Sequence, residues 1–217
     1  MTGFFITFEG IEGCGKSTHV AALAQSLREC GYDVVATREP GGTATGQTLR
    51  NILLHPTGAP LATGAELLLM LADRAQHVEE VIAPALRAGK VVISDRFVDS
   101  TLAYQGHGRG IEHDLLLRLN TFACGGYMPA LTILLDLSVE EGLRRANKRR
   151  GATETVDHFE AESTAFHGRV RQGFLAVAQA EPQRVRVIDS LRPLAEISQE
   201  ILALVLTHLT PHAPRPT

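Results

Sequence analysis

The stretch Gly10-Ile11-Glu12-Gly13-Cys14-Gly15-Lys16-Ser17-Thr18 fits the pattern Gly-x4-Gly-Lys-Ser/Thr. The apolar run Phe4-Phe5-Ile6-Thr7-Phe8 precedes it, and Val20, Leu23, Ala24 and Leu27 follow at the spacing of one helix face. Strand, glycine loop and helix in this order suit a triphosphate. Glycines let many backbone N–H groups approach the phosphate oxygens, and the helix N-terminus adds partial positive charge. Lys16 is placed to reach the β- and γ-phosphates and the Ser17 hydroxyl to take one site on Mg²⁺. Gly10 to Thr18 is therefore expected to bind a nucleoside triphosphate, with Mg²⁺ as cofactor.

Outward from this loop, apolar runs of strand length alternate with longer helical patterns. Strands are expected at Phe4–Phe8, Asp33–Thr37, Val91–Ser94, Leu131–Leu135 and Val185–Ile188, several with almost no polar alternation. Strands buried on both faces read this way, which predicts a parallel sheet covered by helices. Helices are expected near Ser17–Cys30, Gln47–Leu54, Gly64–Ala88, Asp114–Ala123, Val139–Arg150, Glu160–Ala180 and Leu194–His208. The fold class is α/β: a P-loop NTPase three-layer sandwich with a five-stranded parallel sheet and a small lid segment. One domain is expected over residues 1–210, with the lid at about 145–160 and a frayed Pro-rich tail at 211–217.

The chain has 217 residues and a formal net charge of −3, with a pI near 6.3. No global field draws it to nucleic acid or to an anionic membrane. Its three cysteines, Cys14, Cys30 and Cys124, are far apart and match neither a disulfide framework nor a zinc site. Phe4–Phe8 lacks the basic flank of a signal peptide, and no apolar stretch reaches the ~20 residues of a membrane span. A cytoplasmic protein whose partners are small nucleotides is expected.

Ligands of open α/β sheets bind beyond the C-terminal ends of the strands. After the second strand stands Thr37-Arg38-Glu39-Pro40-Gly41-Gly42-Thr43, and after the third Asp95-Arg96-Phe97. Arg38 and Arg96 each neighbour a carboxylate and could form structural ion pairs. Two arginines on the edge that carries the phosphate loop also suit a second phosphorylated molecule, and together they favour that reading.

With Asp73-Arg74-Ala75-Gln76-His77 and Ser100-Thr101-Leu102-Ala103-Tyr104-Gln105-Gly106 added in the same order, the chain resembles the thymidylate kinases of the P-loop nucleoside-monophosphate kinase group. The resemblance implies transfer of the γ-phosphoryl of Mg·ATP to dTMP, and commonly a homodimer. It implies that Arg96 and Arg50 grip the acceptor's phosphate, with the turn at Glu39 and Pro40 closing over it. By the same resemblance Arg74 bonds a thymine carbonyl, and Ser100, Thr101 and Gln105 read the other base edge. Tyr104 crowds the 2′ position of the sugar; a core-facing helix aromatic is the other reading of that residue. Ser17 and Asp95 hold Mg²⁺, the latter through water.

Two departures from the family pattern stand out. Met70 occupies a position where many relatives carry a phenylalanine against the thymine ring; it reads either as a thioether packed on the base or as core filler. In the lid, Arg144, Arg145, Lys148, Arg149 and Arg150 form a basic cluster at helical spacing. Glu12 within the loop resembles the bacterial subtype whose catalytic arginine comes from the lid, yet Asp157-His158-Phe159-Glu160 has histidine where that subtype has arginine. Glu12, Lys16, Arg96 and either Arg149 or Arg150 are the expected catalytic residues. A kinase for another nucleotide or nucleoside, and a P-loop GTPase, are the competing readings; Asn147-Lys148 lacks the following Asp of a guanine-reading motif, Arg150 standing there instead.

Overall fold

The computed structural model describes residues 3–56, 59–150 (Arg150 by its backbone alone) and 158–209. Five strands form one sheet: β1 (Phe4–Glu9), β2 (Val34–Arg38), β3 (Val91–Asp95), β4 (Leu131–Asp136) and β5 (Val185–Asp189), in the order β2-β3-β1-β4-β5. All neighbours are parallel. Every residue of β1 is buried, which is why the run from Phe4 shows no polar alternation.

The register brings the strand ends together. Phe8 of β1 and Arg38 of β2 both stand opposite Asp95 of β3, and Glu9 stands opposite Leu134. The C-terminal ends of β1, β2 and β3 therefore share one edge, at the point where the chain's path reverses about β1.

Helices α1 (Lys16–Glu29), α2 (Ala44–Leu54), α3 (Thr63–His77), α4 (Ala83–Arg87), α5 (Val98–Thr101), α6 (His113–Cys124), α7 (Val139–Arg150), α8 (Thr164–Ala180) and α9 (Leu194–Leu209) cover the sheet. Leu23 and Leu27 of α1 meet Ile201 and Val205 of α9 in the core on one face. On the other, Leu116 of α6 and Val170 and Phe174 of α8 pack with Leu67 and Leu71 of α3. Among the described residues no helix is long and apolar enough to cross a membrane.

Three elements differ from expectation. The helix expected over Gly64–Ala88 passes through a π-helical turn at Val78–Ile82 before α4. Pro84 in the first turn of α4 has no N–H for the preceding ladder, so regular α pairing does not continue through it. Phe159–Ala161 form turns instead of the start of a helix; α8 begins where the Ser163 hydroxyl accepts from Phe166 N–H at 3.2 Å. Val98–Gly108, not assigned to any element from sequence, is α5 followed by a π-helical stretch, Leu102–Gly108. That stretch lies so close to α8 that a β-carbon at Gly108 would sit 2.7 Å from the Phe166 ring.

Candidate active site

The glycine loop wraps between β1 and α1. Gly13 has φ +73°, and a β-carbon there would lie 2.1 Å from the carbonyl oxygen of Gly142 in α7. Glycine is thus required both for the turn and for close approach to the lid helix. The Lys16 ammonium donates to Gly10 O at 3.0 Å and Ile11 O at 2.8 Å. Ser17 Oγ donates to Asp95 Oδ2 at 2.6 Å. This hydroxyl and carboxylate are hard oxygen donors beside the phosphate loop, which is the donor set Mg²⁺ takes when water and substrate phosphates complete its shell.

Lys16, Ser17 and Thr18 line one end of a cavity of about 330 Å³, with Glu12, Gly13 and Gly15 beside them. Gly10, Ile11 and Cys14 shape the loop from behind: the last two are buried, and a β-carbon at Gly10 would lie 2.4 Å from Leu135 O.

Arg96 stands at the middle of the cavity. It has φ +74°, uncommon for a residue with a side chain, and its N–H donates to Phe8 O at 2.9 Å. Its guanidinium donates to Gly10 O at 3.0 Å, Ser100 Oγ at 3.1 Å, Glu12 Oε1 at 3.2 Å and Tyr104 OH at 3.1 Å. Tyr104 in turn donates to Glu12 Oε1, and its ring lies under the guanidinium at 5.0 Å.

Two carboxylates, buried Glu9 and partly buried Glu12, flank Arg96 with opposite electrostatics. Glu9 accepts from Phe97 N–H at 2.7 Å and Ser100 Oγ at 2.6 Å. Burial first, then the charge of Asp99, pushes its pKa up to about 8 despite Arg96. Burial also works against charge on Glu12. There the His167 contact, Arg96 and Lys16 outweigh it and hold the carboxyl well below the usual range. Near neutral pH, Glu12 is charged and Glu9 is largely neutral.

Beyond Arg96 the walls are built of side chains. Arg74, 2 % exposed, donates to Glu39 Oε2 at 2.9 Å, Thr101 Oγ1 at 2.7 Å, Asn120 Oδ1 at 2.5 Å and Phe97 O at 2.9 Å. A guanidinium has five N–H donors. Four are committed among the described residues, which leaves one on Nη2. His77 Nδ1 holds the other oxygen of Glu39 at 2.9 Å and its Nε2 lies 2.6 Å from Thr37 Oγ1. Glu39 thereby fixes the turn, in which the Glu39-Pro40 peptide is cis. Arg50 donates to Pro40 O at 3.0 Å. Arg50, Pro40, Met70, Thr101 and Gln105 line this end together with Leu54 and Phe159.

This geometry can be set beside known proteins. The family model described as Thymidylate kinase matches residues 8–201. The chain belongs to the thymidylate kinase family. It is 56 % identical over 189 residues to the thymidylate kinase of Geobacter sulfurreducens, covering 86 % of this chain and 89 % of that one. It is 51 % identical over 208 residues to that of Desulfovibrio desulfuricans, covering 94 % and 96 %. Its fold matches the crystal structure of thymidylate kinase from Ehrlichia chaffeensis with a TM-score of 0.76 and 35 % identity, over 94 % of this chain and 99 % of that one.

Within this thymidylate kinase family member, the basic run of α7 divides. Arg144 and Arg145 pair with Glu141 at 2.6 and 2.7 Å and do not line the cavity, whereas Arg149 does and pairs with Glu160 at 3.0 Å. The Arg150 side chain and residues 151–157, the centre of the expected lid, lie outside the described residues. So does the tail at 211–217. His158 does not line the cavity: its Nε2 lies 3.2 Å from Glu66 Oε2 and its backbone N–H donates to Leu54 O at 2.9 Å.

Sequence reasoning passed over Glu66, Asn120, Phe159 and His167. Glu66, Asn120 and His167 are buried polar residues on helices, a signal visible in the chain but shared with ordinary helix surfaces. Phe159 follows the lid, and its proximity to Tyr104, with ring centroids 5.7 Å apart, depends on tertiary contacts alone.

Proposed function

We propose that the chain, acting as one kinase domain over residues 1–210, transfers the γ-phosphoryl group of Mg·ATP to the 5′-phosphate of dTMP, giving dTDP and ADP. It is a nucleoside-monophosphate kinase by family. The observation that carries the acceptor is that one cavity runs from Lys16 and Ser17, past Arg96, to a wall of buried Arg74 and Gln105 and half-buried Met70. A plain ATPase has no use for the second half.

In the reaction an acceptor phosphate oxygen forms a bond to the γ-phosphorus, and the bond to the β-bridging oxygen breaks with its electron pair leaving on ADP. The acceptor phosphate is already largely ionised at neutral pH, with a second pKa of about 6, so no general base is required. Lys16 and the loop amides of Gly10 to Thr18 hold ATP. Bound Mg²⁺ would neutralise charge on the β- and γ-oxygens, held by Ser17 and, through water, Asp95. Arg96 and Arg50 hold the acceptor phosphate, with the Glu39-Pro40 turn beside it. Neutral Glu9 adds no repulsion, and ionised Glu12 holds Arg96 and Tyr104 in place. Arg149 or Arg150 supplies lid charge to the transferring group.

The remaining Nη2–H of Arg74 suits one carbonyl of thymine. Ser100, Thr101 and Gln105 belong to the base edge, and Tyr104 borders the sugar. We also read the chain as a cytoplasmic homodimer. The adjacent α3 and α6 leave Leu68 62 % and Phe122 86 % exposed, a pair of apolar side chains that a second copy would cover.

ADP production with Mg·ATP and dTMP, dUMP, ribo-TMP, dGMP, dCMP or thymidine at equal concentration tests the reading. Strong preference for dTMP is expected, and turnover on thymidine instead would move the acceptor to a nucleoside. In the same assay, unchanged turnover after Arg149→Ala with Arg150→Ala would remove the lid arginines from the mechanism.

A further inference from the structure

Gln105 is 2 % exposed, yet its side chain lines the acceptor end of the cavity. A primary amide can offer either a donor or an acceptor, and the group that holds one end decides which end faces outward. The holder here is Glu66 of α3, 1 % exposed. Gln105 Nε2 donates to Glu66 Oε1 at 2.8 Å.

Glu66 has little freedom to do otherwise. Arg109 Nε lies 3.2 Å from each of its oxygens and Nη2 lies 2.8 Å from Oε2. A carboxylate engaged by a guanidinium in this way only accepts hydrogen bonds. The amide N–H of Gln105 must therefore turn toward Glu66. Its carbonyl Oε1 is the end left for the cavity, and among the described residues no protein group donates to it.

We propose that Glu66 is a positioning residue for base selection: by holding the Gln105 amide it presents Gln105 Oε1 to the cavity as an acceptor, selecting a pyrimidine with N–H at ring position 3. Thymine and uracil carry that N–H. Cytosine has a lone pair there, and two acceptors face to face are rejected far more strongly than a missing methyl group. The inference rests on the reading that this cavity takes dTMP. Arg109 acts through Glu66, and Arg109 Nη1 also pairs with Glu162, which anchors the segment following the lid to the same carboxylate.

The test is kcat/KM for dTMP and for dCMP in the wild type, Glu66→Gln, Gln105→Ala and the double variant. A glutamine at position 66 can accept or donate, so it no longer dictates the Gln105 amide. The dTMP/dCMP ratio is expected to fall about tenfold in Glu66→Gln, the worth of one hydrogen bond replaced by a donor–donor contact. It is expected to change less than about twofold when Glu66→Gln is added to Gln105→Ala. Equal losses for both acceptors would reduce Glu66 to a structural role and overturn the proposal. So would a ratio that falls as far without Gln105 as with it. Glu66→Asp keeps the charge and the Arg109 pair while shortening the reach, and gives the same direction if Glu66→Gln does not fold. A wild type without preference for dTMP over dCMP would instead refute the thymidylate reading, and the proposal with it.

Discussion

At the phosphate end of the cavity, Lys16 bonds to the loop's own carbonyls, Gly10 O and Ile11 O. At the base end, side chains from distant segments bond to one another, as Arg74 does to Glu39, Thr101 and Asn120. The Arg74–Glu39 pair is 3 % and 4 % exposed; Arg149, which reaches the phosphate end, is 69 % exposed. One end is a loop that must exchange its internal contacts for a ligand's. The other is assembled in advance, with most of its donors already spent, and recognises by what remains. Rate and specificity are therefore expected to respond to different substitutions.

The sharpest way to break the comparison is Arg74→Met. It leaves Glu39 buried with only His77 against it and strips partners from Asn120 and Phe97 O. Removing one member of a buried pair costs roughly 3–5 kcal/mol. At about 2–4 °C per kcal/mol for a chain of this size, thermal unfolding should show a fall of about 6–20 °C. If calorimetry finds less than about 3 °C, the base end is not the rigid half.

Next in size is the pH response of Glu9, which faces Arg96 and Asp99 at the boundary of the two ends. Its pKa is about 8 in the fold against an ordinary 4.5. Above pH 4.5 the unfolded chain releases this proton while the folded chain keeps it, so Glu9's contribution to stability declines as pH rises from about 4.5 to about 8. Glu9→Gln mimics the protonated form: its carbonyl can accept from Phe97 N–H and its amide can donate to Ser100 Oγ. The variant should gain stability over the wild type progressively between these pH values, by on the order of 4 kcal/mol at the upper end, read as a growing difference in melting temperature. A difference that does not vary with pH would mean that Glu9 is charged in the fold. Glu12, held low, contributes with the opposite sign: its stabilisation is lost only as pH falls through the acid range.

The same contrast explains what could be read in advance. The phosphate end is local in sequence. Gly10 to Thr18 has a required spacing, and Asp95 and Arg96 follow a strand whose apolar run is unmistakable, so the parallel sheet, the loop and the cavity's charged half were legible. The base end is not local. Glu66 meets Gln105 and Arg109 only because the π-helical stretch Leu102–Gly108 packs beside α3, and within Val98–Gly108 only Tyr104 carries a helical reading, as one of two. The lid cluster was legible only as a cluster: helical spacing puts Arg144 and Arg145 beside Arg149, and their pairing with Glu141, one turn earlier on the same helix, sets them apart from it.

The smallest expected effect separates the fixed part of the base end from its adaptable part. Met70 is half-buried and shares its wall with Leu54 and Phe159, three apolar side chains without the hydrogen-bonding groups of Arg74 and Gln105. A thioether against an aromatic ring is worth roughly 0.3–1.5 kcal/mol. Met70→Ala should therefore raise KM for dTMP by at most about tenfold, with kcat nearly unchanged and dUMP affected to the same degree, since packing against a ring does not read its hydrogen-bonding edge. The partner substitution Phe159→Leu distinguishes two arrangements of that wall. If KM moves with Phe159 and not with Met70, the base rests on the ring contributed from beyond the lid, and acceptor binding is then coupled to where that segment docks. If it moves with Met70 alone, the acceptor pocket is complete without the lid, and the two ends of the cavity are as separate in energy as they are in construction.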